Sequence, residues 1–247
     1  MTIALSIITP TIIVMTVDSS VTQDFGYKRE YIKGRKVYFY PGVGCVTTWG
    51  TMDGNRIGDY LEKKDISPDH YSVENLADLV FEYLSKEYRP DELGFDDIGY
   101  HVGGFDKQVH ARLFHVFWGF DRPKPPEQTS RKYAKYDHSP QTGGIRFIYN
   151  GRNDLAQVVI NTLIYQLNDR SESRFHLNNP TSIVCFADFV VRFGAELTPE
   201  VGPPFLTYII SLRNESAIIR NDNLCPVNPD TVYDELRRLG YPENKVG

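Results

Sequence analysis

With 247 residues, 41% of them hydrophobic and 24% charged, the chain carries enough apolar content for a substantial core and too little charge for a disordered segment. A formal net charge of −5 argues against a nucleic-acid partner, because neutralising phosphates takes concentrated Lys and Arg. The apolar run from Ile3 to Met15 is interrupted by Ser6, Thr9, Pro10 and Thr11 and follows no basic segment, so it is expected to be neither a secretory signal nor a membrane span.

Residues 2–8 and 11–17, rich in Ile, Val and Thr around Thr9-Pro10-Thr11, predict a β-hairpin. After a polar stretch, 36–40 and 45–49 predict two short strands around Pro41-Gly42-Val43-Gly44. Ile57, Tyr60 and Leu61 have helical spacing and predict a helix from near Asp53 to before Asp65. Ser72 is the expected N-cap of a second helix, which reaches about Tyr88 with Leu76, Leu79, Val80, Tyr83 and Leu84 on one face.

Strands return over 97–104 and 110–118, separated by a polar turn. The segment 122–143 is rich in Pro, Lys and Tyr and has no period, so it predicts a long exposed loop whose basic residues Arg122, Lys124, Arg131, Lys132 and Lys135 are solvated. Helices are predicted over 152–167 and 181–193, the latter announced by Asn179-Pro180. A hairpin, 206–212 with 216–220, and a helix over 230–239 ending before Gly240 close the chain. Cys45, Cys185 and Cys225 are odd in number and lack metal spacing, which suggests free thiols in a reducing, cytoplasmic setting.

Strands that arrive in hairpins make antiparallel sheets, and helices that arrive in pairs must cover a sheet face. The expected architecture is α+β: a single domain over 1–247, built as a four-layer αββα sandwich of two antiparallel sheets flanked by helix pairs.

At this point the chain resembles proteasome β-type and HslV-type subunits of the N-terminal nucleophile hydrolase superfamily. The resemblance rests on the element order and on four local features. These are Thr2 opening a strand hairpin, Thr16-Val17-Asp18 closing it, Gly34-Arg35-Lys36-Val37 before the third strand, and the run from Asp97 to Asp106 with its Gly103-Gly104-Phe105-Asp106 end.

The resemblance implies that removal of Met1 exposes Thr2 as a nucleophile whose own α-amine is its base. It makes Lys36 the cation that keeps the amine neutral and Asp18 the carboxylate that holds Lys36. The oxyanion donor is expected from backbone N–H groups at Thr48 or within Thr48-Trp49-Gly50, with Trp49 reshaping the first specificity pocket. It implies a peptide or protein substrate, a homo-oligomeric ring, an ATP-driven unfoldase partner and no metal or organic cofactor.

The chain departs from the family where it has Tyr149-Asn150-Gly151-Arg152-Asn153 without a Ser, and Leu197 to Gly202 without the expected Asp and Ser. These departures keep a second reading open, a catalytically inactive ring or scaffold protein. Separately, His101, His110 and His115 lie on one predicted hairpin, whose pairing could bring them together as a candidate metal site.

Overall fold

The computed structural model describes residues 3–24, 29–50, 56–120, 130–140, 144–151, 161 and 179–241. Thr2 lies outside the described residues, as does the helix expected over 152–167 apart from residue 161.

The first hairpin forms as expected. Strand β1 (Ile3–Ile8) pairs antiparallel with β2 (Ile13–Val17), with Ile8 opposite Ile13 and Ala4 opposite Val17. Every residue of both strands is buried, which explains why the sequence runs almost continuously apolar instead of alternating. Thr9 closes the turn: its hydroxyl accepts from the Ile12 N–H at 3.0 Å and donates to the Ile12 carbonyl at 3.0 Å.

The polar stretch that follows holds a hairpin the sequence did not announce, β3 (Ser20–Asp24) with β4 (Arg29–Lys33), forming a separate two-stranded sheet. Next come β5 (Val37–Tyr40) and β6 (Gly44–Gly50), then helices α1 (Arg56–Glu62) and α2 (Val73–Glu82), the second prolonged by a π-helical turn over Tyr83–Tyr88. Ser72 caps α2 as expected. Its hydroxyl accepts from the Asn75 N–H at 3.3 Å, and the Asn75 side chain accepts from the Ser72 N–H at 3.1 Å.

Strands β7 (Ile98–Phe105) and β8 (Ala111–Phe120) form the second long hairpin. Part of the expected loop 122–143 is instead a strand, β9 (Arg131–Asp137), paired to β8. It is an edge strand with only Ala134 buried, so it carries no apolar alternation to reveal it. Its basic residues are also less free than expected. Arg131 reaches Asp96 and Asp97 and stacks over Trp118 and Phe120, while Lys135 pairs with Asp78. After β10 (Arg146–Gly151) come α3 (Pro180–Leu197), β11 (Phe205–Ile210), β12 (Ser216–Asn221) and α4 (Pro229–Arg238). Both later helices start on an Asn cap with Pro at the next position, where its missing N–H costs no helical bond.

The fold is α+β, with two five-stranded antiparallel sheets in the orders β10-β1-β2-β11-β12 and β5-β6-β7-β8-β9. One apolar cluster joins the second sheet to α1 and α2 through Tyr38, Ile57, Leu76, Val80, Tyr100 and Val116. Another joins the first sheet to α3 and α4 through Leu5, Val14, Phe186, Val190, Ile209 and Leu236. A third draws on both sheets at once, with Ala4, Ile13, Met15 and Ile210 meeting Cys45, Trp49, Leu113 and Phe117.

Candidate active site

Just beyond β2 the chain places a carboxylate where four donors converge. Asp18 Oδ1 accepts from the Ile3 N–H at 3.1 Å and from Lys36 Nζ at 3.0 Å. Its Oδ2 accepts from the Ser20 N–H at 3.0 Å and the Gly202 N–H at 3.4 Å. Lys36 also donates to the Ser20 carbonyl. The side chains of Lys36 and Asp18 are 2% and 0% exposed, so the pair is buried, unlike a turn carboxylate or a surface lysine.

Several elements hold this pair in place. Lys36 stands just ahead of β5, where its carbonyl accepts from the Thr48 N–H of β6 at 3.0 Å. The segment after α3 closes over Asp18, with the Ser19 N–H bonded to the Gly202 carbonyl at 3.1 Å and the Ser19 hydroxyl to the Pro204 carbonyl at 2.6 Å. Gly194 of α3 lets the helix approach the chain start, since a Cβ there would lie 2.2 Å from Ile3 Cδ1.

Burial raises the Asp18 carboxyl above the ordinary carboxylate range, against the attraction of Lys36 and the backbone donors. Burial likewise lowers Lys36 from the ordinary ammonium range, against the attraction of Asp18. Such a pair is costly to desolvate, and its hydrogen bonds are what make it tolerable.

The structure brings Asp18 and Lys36 together and sets Ile3, the residue after Thr2, against them. The Thr48 N–H, expected as an oxyanion donor, is already committed to the Lys36 carbonyl. Strand alternation turns the Gly50 N–H, two residues further on, toward the same edge of β6 as the Thr48 N–H. Trp49 is buried. Its ring lies in the cluster shared by the two sheets, 5.5 Å from His115.

Sequence reasoning missed Ser20 and Gly202 as partners of Asp18, because both act through backbone groups, which leave no residue-type signature. Of the three histidines on the β7–β8 hairpin, His101 and His115 meet at 5.3 Å between ring centres, but His110 sits at the turn with Asp106 at 3.4 Å. Among the described residues no three His, Cys, Asp or Glu side chains gather as metal ligands, and no helix is long and apolar enough to cross a membrane. A cavity of about 480 Å³ lined by Pro10, His110, Arg112 and Asp137 lies by the β1–β2 turn, at the other end of that hairpin from Asp18.

No family model and no curated protein matches the sequence. Solved structures do match the fold. Anbu (ancestral beta-subunit) from Yersinia bercovieri is 16% identical with a TM-score of 0.61, over 99% of this chain and 100% of that one. An Anbu (Gly-1) mutant from Hyphomicrobium sp. strain MC1 is 15% identical with a TM-score of 0.61, over 100% of both chains. Anbu from Pseudomonas aeruginosa, described as a helical assembly, is 14% identical with a TM-score of 0.60, over 99% and 100%.

These matches correct the resemblance to proteasome β-type and HslV-type subunits: the structures found are Anbu proteins, which are proteasome-like but form a distinct family. Element order records a fold, and one fold serves more than one family, so it did not discriminate between them.

Proposed function

We propose that the chain is a threonine-type hydrolase, an endopeptidase or amidase that acts through Thr2 once Met1 is removed. The observation that carries this reading is the shared carboxylate oxygen: Asp18 Oδ1 binds both Lys36 Nζ and the N–H of the residue that follows Thr2. That shared oxygen brings the buried ammonium close to the Ile3 N–H.

In the reaction the Thr2 hydroxyl passes its proton to the α-amine, directly or through water, and Oγ attacks the scissile carbonyl. Positive charge on Lys36 disfavours a second charge on the amine and keeps it basic, while Asp18 aims Lys36. The oxyanion is met by a backbone N–H, for which Gly50 is a better candidate than Thr48 because the Thr48 donor is occupied. The amine returns its proton to the leaving amine, and water then cleaves the acyl ester.

The same reading takes the chain as one domain with a four-layer αββα order, supported by apolar clusters on the outer face of each sheet and between the sheets. It takes the assembly as a homo-oligomeric ring fed by an ATP-driven unfoldase, in a cytoplasm where Cys45, Cys185 and Cys225 stay unpaired. A second reading, an inactive ring or scaffold protein, is favoured by Val201 and Thr198 standing in the stretch where the expected Ser and Asp are absent.

Intact-mass measurement followed by labelling with a peptide epoxyketone separates the two. The hydrolase reading expects loss of Met1 and an adduct on Thr2 that Thr2→Ala abolishes. Retained Met1, or no adduct under conditions that label a known threonine peptidase, supports the scaffold.

A further inference from the structure

The layer between the two large sheets is not uniformly apolar. His101 of β7 is fully buried and reaches across to the opposite sheet: its Nδ1 lies 2.8 Å from the Ser6 hydroxyl of β1 and its Nε2 lies 2.8 Å from Asn150 Oδ1 of β10. Since an amide oxygen only accepts, Nε2 carries a proton, and burial, which lowers the ring to about 4, leaves Nδ1 unprotonated at neutral pH to accept from Ser6. One imidazole thus ties two adjacent strands of the facing sheet to its own.

His101 begins a row. The His115 ring of β8 stands edge-on to it at 5.3 Å, and the His138 ring, just past the end of β9, stands 6.1 Å from His115. Among the described residues, Nε2 of His115 and Nε2 of His138 are buried and have no hydrogen-bond partner, and the same holds for the neighbouring Thr47 Oγ1 and Trp49 Nε1. This seam is less well satisfied than the apolar layer around it.

We propose that His101, His115 and His138 form an acid-operated latch that holds the β8–β9 margin closed while the rings are neutral and releases it when they take up protons. The groups facing each ring support this. His101 faces Ser6, Asn150 and His115, none of them a carboxylate. His115 faces His101, His138, Trp49 and Phe117. His138 faces Tyr136 and His115 and feels Asp137 and Arg146. Asp137 is itself held by Arg112 at 2.7 Å and by the Ser139 N–H at 2.8 Å, so protonation would gather three cations with one engaged carboxylate at the rim. His138, half-buried, is the entry point for protons.

Burial lowers all three rings, His101 to about 4 and His115 well below its usual range. A base whose pKa falls on folding contributes stability that is intact above the unfolded value of 6.5 and drains away as the pH falls below it. At pH 5.0 the unfolded ring is almost fully protonated and His101 almost fully neutral, which favours unfolding about 30-fold for this residue alone.

Hydrogen–deuterium exchange of the full chain at pH 7.5 and pH 5.0, corrected for intrinsic rates, tests the latch. The expected result is an at least 10-fold loss of protection in peptides from β8 and β9, with β2 and α3 much less affected, and its abolition in His115→Phe. Urea unfolding of His101→Asn should lose about 30-fold of the pH dependence between pH 7.5 and 5.0, whereas His110→Asn should keep it. Uniform exchange changes, or wild-type unfolding constants within 3-fold at the two pH values, overturn the proposal. If neither variant folds, the wild-type exchange pattern decides by itself.

Discussion

Replacing Asp18 with Asn would leave the Lys36 ammonium buried at 2% exposure with the Ser20 carbonyl in place of a full counter-ion. Removing one partner of such a pair costs about 3–5 kcal/mol, because the remaining buried charge loses the attraction of its counter-ion. For a chain of this length that is a fall of about 10 °C in Tm.

Lys36→Met should cost a similar amount at pH 7, with a pH dependence of known sign. The Asp18 carboxyl, already raised by burial from 3.8, loses the attraction that opposed the rise. A carboxyl raised on folding contributes stability below the unfolded value, lost as pH rises through the folded one, so the Lys36→Met defect should shrink on moving from pH 7 toward pH 4.

The double variant Asp18→Asn/Lys36→Met removes both charges and should recover at least ~2 kcal/mol relative to the sum of the single changes. Urea denaturation followed by circular dichroism measures all four corners of the cycle. A single-variant loss under about 1 kcal/mol, or additivity within about 0.5 kcal/mol, would refute the picture of a mutually dependent buried pair.

The remaining predictions bear on the chain start, the seam and the contact between sheets. Thr2→Ala should abolish epoxyketone labelling while leaving Tm within about 2 °C, because loss of a single hydroxyl costs little stability. Gly194→Ala brings a methyl to within 2.2 Å of Ile3 Cδ1 and should displace the chain start, slowing labelling by up to about 100-fold at modest cost in Tm; an unchanged labelling rate removes Ile3 from the positioning of Thr2. Asn214 sits at φ +52° in the β11–β12 turn and makes both backbone bonds to Phe105 of β7, at 2.6 and 2.8 Å. Asn214→Ala should cost about 2–4 kcal/mol, read by urea denaturation, through two unsatisfied buried backbone groups and a left-handed backbone that Ala dislikes. The histidine latch adds the expectation of a stability loss that sets in below pH 6.5.

Much of the fold could be read from the chain because its internal elements write their burial into local periodicity. The β1–β2 hairpin is buried throughout and reads as apolar runs, while α2 is marked by the Ser72 cap and an i, i+3, i+4 face. The β3–β4 hairpin and β9 escaped notice because the first is polar and the second is an edge with only Ala134 buried. Nothing in their spacing distinguishes pairing from a loop. That the Trp49 ring packs between the sheets was not legible, because a strand's two faces can be told apart only once the facing sheet is known.

The site divides along the same line. Residue types and the step from Thr2 to Asp18 and Lys36 marked the titratable groups, since a carboxylate and a lysine are legible as letters. That the two are buried together, that Ser20 and Gly202 complete the carboxylate's shell, and that Thr48 has no free N–H were decided by tertiary structure. Those contacts use main-chain donors that every residue except proline possesses, brought together from positions up to 184 residues apart. The sequence by itself determined which side chains carry charge and which strands can be buried; only folding decided which backbone groups meet them, because a peptide N–H acquires specificity from its place and not from its residue.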